Sequence, residues 1–353
     1  MTKTKFYLRP FGVVNSKDGL SLIKKDNAFK VNESFFTHIE LIRRDNLIKK
    51  KLYSFNEFKE ILKKQKKIKS LFENYKNLKN NKLEKLLFAN RRFSIFGILN
   101  ITPDSFSDGG DNVNIKDAIK NAQKMISYGA NFIDVGGEST RPGADLISPQ
   151  EEIMRILPVI QKLNNQKINI SLDTRNSSTM EFGILSGVKI INDVSGLNHD
   201  RRSVDLINKY NVPIIIMHMP GTPKTMKKKT KYENVVLDVY DYLKEKTDLV
   251  VKAGVKRENI IIDPGIGFGK DYLQNMDLIS NIGTFHTLGF QIMLGVSRKR
   301  FIDSISREAL PKNRIGGTIS ATLYAMINGV RIHRVHDVRD VNQATIIYDR
   351  IIN

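Results

Sequence analysis

Between Ile95 and His336, short aliphatic runs alternate with longer amphipathic stretches, about eight times over. Runs that are apolar throughout, rather than at every second position, read as strands buried on both faces, and helices between them make those strands parallel. The predicted strands are 93–99, 131–136, 168–173, 189–193, 212–217, 259–263, 291–295 and 331–335. Helices are expected over 114–128, 148–164, 176–186, 201–210, 232–253, 271–282, 298–306, 314–328 and 339–352. Units of this kind close as a (β/α)8 TIM barrel, an α/β fold in which every strand end faces one side.

Each run stops abruptly on polar or glycine-rich residues. FGILN stops at Asn100, NFIDVGGEST at Glu138 to Thr140, INISLDT at Asp173 and VKIINDVSG at Asn192 and Asp193. PIIIMHMPG stops at His218, NIIIDPGIGFGK at Asp263, QIMLGVSRK at Ser297 to Lys299, and RIHRVHDV at Arg334 to Asp337. Because the carboxyl ends of barrel strands converge on one pocket, these residues are read as one site.

Upstream, residues 1–53 alternate apolar runs (FYLRPFGVV, AFKV, FFTHIELIRR) with turn-like segments such as NSKDG, which suggests a few β-strands. Phe55, Phe58, Ile61 and Leu62, then Ile68, Leu71 and Phe72, recur at helical spacing, and a break is expected near Asn80 and Asn81. The chain thus divides into a small α+β accessory region, 1–90, and a barrel, 91–353. A length of 353 residues suits one barrel with such an addition.

Charge adds little to this division. Residues 1–90 hold 22 Lys and Arg against 9 Asp and Glu, leaving +7 of the net +20 for the rest. No arginine-rich or aromatic-interleaved motif accompanies the excess, so solvated helix faces explain it and no nucleic-acid partner is expected. With no cysteine there is no disulfide framework or thiolate metal site. No run approaches the ~18 apolar residues of a membrane span, and a cytoplasmic protein without a membrane partner is expected.

Two strand-end loops, Asn100 to Gly110 and Gly136 to Ala144, are long and marked by Gly and Pro, as lids over a barrel mouth would be. GIGFGK is not a phosphate loop, since Pro264 stands where the first glycine of that motif belongs and Asp271 replaces its Ser or Thr.

Taken together, GILNITPDSFSDGG, DVGGESTRPGA, SLDT, INDVSG, MHMPGTP, DPGIGFGK, GVSRK and RVHDV are similar to the motifs of dihydropteroate synthase, in order and spacing, over residues 93–353. The resemblance implies a transferase of folate biosynthesis. In it p-aminobenzoate displaces pyrophosphate from 6-hydroxymethyl-7,8-dihydropterin pyrophosphate to give 7,8-dihydropteroate, and sulfonamides compete with p-aminobenzoate. It also implies a Mg²⁺ ion and a homodimer formed through helices away from the loops.

Carried over to this chain, Asp263 and Asn192, at adjoining strand ends, face the aminopyrimidinone edge of the pterin. Lys299 faces its carbonyl and N5 side, Asp173 its other edge, and Thr140 and Met217 complete the slot. Asn100 holds Mg²⁺ and, with Arg334 and His336, the pyrophosphate. Phe106, Arg141, Pro142 and Phe268 wall the p-aminobenzoate site, and Ser297, at the start of a helix, meets its carboxylate. A dissociative, SN1-like substitution follows from a weakly basic amine and a ring that delocalises a methylene cation. Asp104, Asp108 and Asp173 offset the developing charge, Arg334 and His336 with Mg²⁺ hold the leaving pyrophosphate, and Lys299 is counted with them among the catalytic residues. His218 is as easily core as ligand contact. Two other readings, a corrinoid-dependent pterin methyltransferase and a non-catalytic pterin-binding scaffold, are disfavoured by the loop motifs and by competent residues at every site position.

Overall fold

The structure, a computed structural model, describes residues 4–77, 83–89, 91–101, 111–139, 147–228 and 230–352, the side chains of 111–114 and 227 excepted. Its first part is an antiparallel sheet of β1 (Lys5–Val14), β2 (Phe29–Val31), β3 (Ser34–Arg44) and β4 (Ile48–Ser54). β1 lies along one side of β3, while β2 and β4 share the other. The segment NSKDG, expected as a turn, instead opens the helix Ser16–Lys24, where the Asn15 side chain accepts the Asp18 N–H at 2.8 Å. Residues that stabilise turns also satisfy the free amides of a helix start, which is why composition alone misleads here.

The helical stretch splits into Phe55–Lys64 and Lys66–Lys76 at Gln65, whose backbone is extended. The break expected near Asn80 and Asn81 lies outside the described residues. Phe55, Phe58, Ile68, Phe72 and Tyr75 pack on Leu8, Phe29, Val31, Phe36 and Ile39 in a core of their own.

The second part is a closed barrel of β5 (Ser94–Asn100), β6 (Phe132–Gly136), β7 (Ile170–Asp173), β8 (Ile190–Asp193), β9 (Ile214–Met217), β10 (Ile260–Asp263), β11 (Gln291–Leu294) and β12 (Ile332–Val335). All neighbours are parallel, and β12 closes on β5 through pairs such as Arg334 with Phe96. The expected (β/α)8 fold is present, each strand lying within two residues of its predicted bounds.

Side chains alternate along each strand, and this period of two stacks the interior in layers. The lower layer is apolar: Phe96, Phe132, Ile190, Ile215, Ile261, Met293 and Ile332. Two positions further along β6, β7, β8, β10 and β12 stand Asp134, Asp173, Asn192, Asp263 and Arg334, so the floor of the barrel is greasy and its mouth is polar. The residues between them, including Ile133, Leu172, Ile191, Ile216 and Ile262, point outward into the main core under the helices.

The floor is stoppered from below. Leu83, Leu87 and Phe88, in and just before the short helix Glu84–Phe88, pack into the lower layer. The Arg331 guanidinium covers the Phe88 ring at 3.6 Å and reaches Glu84 at 2.6 Å. Sequence order groups this helix with the accessory region, but its apolar side belongs to the barrel core. Leu87→Ala is expected to cost about 3 kcal/mol, since no part of its methyl groups reaches solvent. Chemical denaturation measures this, and a stability within ~0.5 kcal/mol of native would deny the helix its stoppering role.

The accessory sheet also grips the barrel's flank. Tyr7 donates to Asp241 at 3.0 Å and sets its ring edge-on to Tyr240. Arg44 reaches Asp238 at 2.6 Å and Arg9 reaches Asn281 at 2.8 Å.

Candidate active site

The polar layer at the mouth is a connected network. Arg334 leaves β12 and donates through Nε to Asp134 Oδ2 at 2.6 Å and through Nη2 to Asp173 Oδ2 at 2.8 Å. Asn192 donates its amide to the same Asp134 oxygen at 3.3 Å. One guanidinium therefore ties β6, β7 and β12, and β8 joins through Asn192. Asp134 Oδ1, Asp173 Oδ1 and Asn192 Oδ1 are buried without a hydrogen-bond partner among the described residues. Such acceptors are costly unless a donor arrives from elsewhere, so the layer is built for a ligand carrying N–H groups.

Electrostatics follow from that burial. Desolvation pushes the Asp173 carboxyl up to about 7, against the pull of Arg334 and with help from Asp134. Asp263 is also raised by burial, opposed by Lys299. Lys299 is lowered to about 8, first by desolvation and then by Arg334, with Asp263 acting the other way. His336 falls to about 3 by burial and by Arg334, so its ring is neutral at physiological pH.

Backbone geometry sets the remaining groups. Gly295, two positions past Met293, has no side chain, and a Cβ there would lie 3.7 Å from Lys299 Nζ and 3.8 Å from Arg334 Cβ. After β10 the turn Pro264–Gly269 carries three left-handed glycines, Gly265 (φ +70°), Gly267 (φ +83°) and Gly269 (φ +59°). A Cβ on Gly267 would strike Lys299 Cδ at 2.9 Å, so the lysine lies across the turn, its amine donating to the Ile266 carbonyl and standing 4.7 Å from the centre of the Phe268 ring. Met217, at the end of β9, packs with Val194, Met219, Met226 and Phe268 in an apolar wall beside the polar network.

Several expectations need correction. Asn192 and Asp263 are not at adjoining ends, because β9 runs between β8 and β10 and places Met217 between them. Ser297 does not start a helix: that helix is Arg300–Ser306, and Ser297 Oγ accepts the His336 N–H at 3.1 Å and contacts His336 Nδ1 at 3.0 Å. Ser297 is thereby placed with the histidine of β12's exit. Asn100 ends β5 with its amide oxygen 3.6 Å from where a Gly136 Cβ would stand. Asp104, Phe106, Asp108, Thr140, Arg141 and Pro142 lie outside the described residues.

Comparison with known proteins bears on this mouth directly. Residues 96–336 match the family model described as pterin binding enzyme. A dihydropteroate synthase of Clostridium beijerinckii is 41% identical over 263 residues, covering 74% of this chain and 95% of that protein. The chain belongs to the dihydropteroate synthase family. The Escherichia coli K12 dihydropteroate synthase is 38% identical over 251 residues, 71% of this chain and 88% of its own. A crystal structure of the Clostridium difficile dihydropteroate synthase in the presence of pteroic acid superposes with a TM-score of 0.69 at 41% identity, covering 73% of this chain and 96% of that one. A Yersinia pestis dihydropteroate synthase in a sulfonamide drug complex gives 0.69 at 34% identity, with 73% and 94% covered. The accessory sheet and its helices, residues 5–76, precede the matched region.

Two residues at the mouth stand out only once the chain is folded. Asp134 is inside the apolar run NFIDVGG and was hidden by the later polar stop at Glu138. Its signal was parity: it shares the inward register of Phe132, two positions back. Lys270, which in sequence only closes a glycine-rich turn, is buried, donates to Gly265 O at 2.9 Å and Phe268 O at 2.8 Å, and shares a hydrogen bond with His218 Nδ1 at 2.9 Å. The same bond bears on His218: its Nδ1 is held by Lys270, its ring is pushed well down by burial and then by Lys270, and it packs as a neutral ring.

Proposed function

We propose that the enzyme condenses 6-hydroxymethyl-7,8-dihydropterin pyrophosphate with p-aminobenzoate, giving 7,8-dihydropteroate and pyrophosphate. The observation that carries this reading is the Arg334 bridge between Asp134 and Asp173, set in one layer with Asn192, Met217, Asp263 and Lys299. A flat heterocycle with an amino–imino edge needs buried acceptors in a plane and an apolar face, and this layer supplies both. Asp263 and Asn192 take the aminopyrimidinone edge, Lys299 the carbonyl and N5 side, Asp173 the opposite edge, and Met217 the face. Thr140 completes the slot, and Phe106, Arg141 and Pro142 join Phe268 around p-aminobenzoate.

The substitution is dissociative. Loss of pyrophosphate leaves a methylene cation conjugated with the pterin, and the amine nitrogen then bonds to that carbon and releases its proton. Such a path asks the protein for charge stabilisation on both sides of the breaking C–O bond and for no nucleophile of its own. Arg334 and the neutral His336 receive the departing oxygens, with Ser297 holding the His336 ring. Asp173, joined by Asp104 and Asp108, offsets the cation.

A Mg²⁺ ion fits this chemistry. No cluster of three or more His, Asp or Glu that could hold a metal exists among the described residues, but Mg²⁺ is commonly held by one or two protein oxygens together with substrate phosphates. Asn100 supplies such an oxygen at the mouth. When bound, the ion would neutralise charge on the leaving group.

Three further readings extend the proposal. Sulfonamides, which occupy the Yersinia pestis relative, compete here with p-aminobenzoate. A homodimer is supported by apolar side chains left exposed on the helices Ile315–Ile327 and Val338–Ile352, among them Tyr324, Ile346, Ile347 and Ile351. A cytoplasmic location suits a cysteine-free chain, and no described helix is long and apolar enough to cross a membrane. The decisive assay supplies both substrates and Mg²⁺ to purified protein and follows pyrophosphate. Release that depends on p-aminobenzoate is expected, and none at all would overturn the proposal.

A further inference from the structure

We propose that Lys270 is a positioning residue that fixes the Phe268 ring against p-aminobenzoate, an inference resting on the assignment of Phe268 to that substrate's wall. The reaction as derived gives Lys270 no work, and its placement is otherwise hard to account for. Its side chain is 8% exposed, and no carboxylate forms an ion pair with it among the described residues. Burial and, after it, the nearby Lys299 hold its amine well below the usual lysine range, with Asp263 acting the other way, and a polar nitrogen buried there costs more than an apolar residue of the same length would. A group retained at that cost is there for what it holds.

What it holds is the turn that presents Phe268. The amine donates to Phe268 O at 2.8 Å and Gly265 O at 2.9 Å and shares a third hydrogen bond with His218 Nδ1 at 2.9 Å, with His218 O further off at 3.4 Å. Two belong to the turn itself and the third to the exit of β9, so one side chain straps two strand ends together. The turn needs the strap because glycine occupies three of its six positions, all left-handed, and glycine backbone is entropically the least inclined to stay in one conformation. Its other ties are Gly265 N–H to Asp263 at 2.7 Å, Gly267 N–H to Asn275 at 2.6 Å, Phe268 N–H to Gly265 O at 3.2 Å, Lys299 to the Ile266 carbonyl and Tyr232 to the Gly269 carbonyl at 3.0 Å. Among the described residues only Lys270 takes hold of the Phe268 carbonyl, and a ring is aimed by the backbone that carries it. Lys270 begins where the glycines end, directly before the Asp271 cap of the helix Tyr272–Ser280, so its backbone is anchored while its side chain reaches back.

The test is a double-mutant cycle on the full chain with Lys270→Met and Phe268→Ala, read as separate KM values for the two substrates. Lys270→Met should raise the p-aminobenzoate KM about tenfold and leave the KM for the pterin pyrophosphate within about twofold, the size of effect that sub-ångström misplacement produces. In a Phe268→Ala background the same change should do nothing further, because the group it aims is gone. If Phe268→Ala raises the p-aminobenzoate KM but Lys270→Met adds to it in full, or leaves that KM unchanged alone, the strap is refuted and the site assignment stands. If Phe268→Ala itself leaves that KM unchanged, the site assignment fails and the inference with it. Lys270→Gln, which keeps an amide donor, serves if the methionine variant does not fold. Failure of both to fold would make Lys270 a residue of the fold alone and overturn its positioning role.

Discussion

Arg334→Met is expected to lower kcat/KM by about a thousandfold and to destabilise the fold by about 3–5 kcal/mol, the range for stripping one partner from a buried ion pair or a charge donor from a leaving group. Both effects come from one pair of contacts. Asp134 and Asp173 each lose their guanidinium, at 2.6 and 2.8 Å, and Asp134 is then a fully buried carboxylate with only the Asn192 amide at 3.3 Å. The methionine fills the space without the charge, so packing loss is small and the measured destabilisation reports the orphaned carboxylates. Urea denaturation at two pH values separates the terms, because carboxylates left without a cation are relieved by protonation and the deficit should shrink in acid. A variant with native stability, or with activity within tenfold of native, would show that Arg334 is neither the keystone of the layer nor the cation of the leaving side.

Asp173→Asn should separate activity from stability. Turnover is expected to fall about a hundredfold, since the amide cannot offset a cation, while melting at pH 8 does not fall and is expected to rise. The sign follows from linkage. The Asp173 carboxyl is raised from its usual 3.8 to about 7 in the fold, so its contribution to stability is fully present below pH 3.8 and is lost as pH rises through 7. At pH 8 the native enzyme therefore carries an unfavourable buried charge that the asparagine lacks. The same group should appear in the native pH–rate profile as a fall in kcat/KM below about 7, and that limb should be missing from the variant. An unchanged profile would assign the ionisation elsewhere.

The barrel was legible because burying a parallel strand on both faces leaves an unmistakable aliphatic run, and eight of them stop on polar residues. Which of those residues face one another was less legible. Stops at the ends of β7, β8, β10 and β12 were visible, and their convergence follows from topology alone. Asp134 was not visible, since a carboxylate two positions before a strand's end interrupts an apolar run without ending it, and only the inward parity shared with Phe132 marks it. Lys270 was obscured for a different reason: in GIGFGK the glycines announce a turn, and nothing in a linear string says that the terminal amine folds back onto it. The roles of Phe268, Ser297 and Asn100 came from family likeness rather than pattern, and of these Ser297 is the one whose surroundings, facing His336, differ from expectation. At the amino-terminal side, NSKDG shows the limit of composition, since one asparagine can close a turn or open a helix and the following residues decide which.

The helix Glu84–Phe88 determines where this polypeptide can be cut. Its leucine and phenylalanine finish the hydrophobic packing of strands that begin ten to 250 or so positions later, so a catalytic unit trimmed just ahead of β5 would carry an open base and a tendency to self-associate. A portable version for grafting or fusion would begin upstream of Leu83 and bring that stopper with it, and would leave uncovered the flank at Tyr240 and Asp241 on which Tyr7 of the accessory sheet sits.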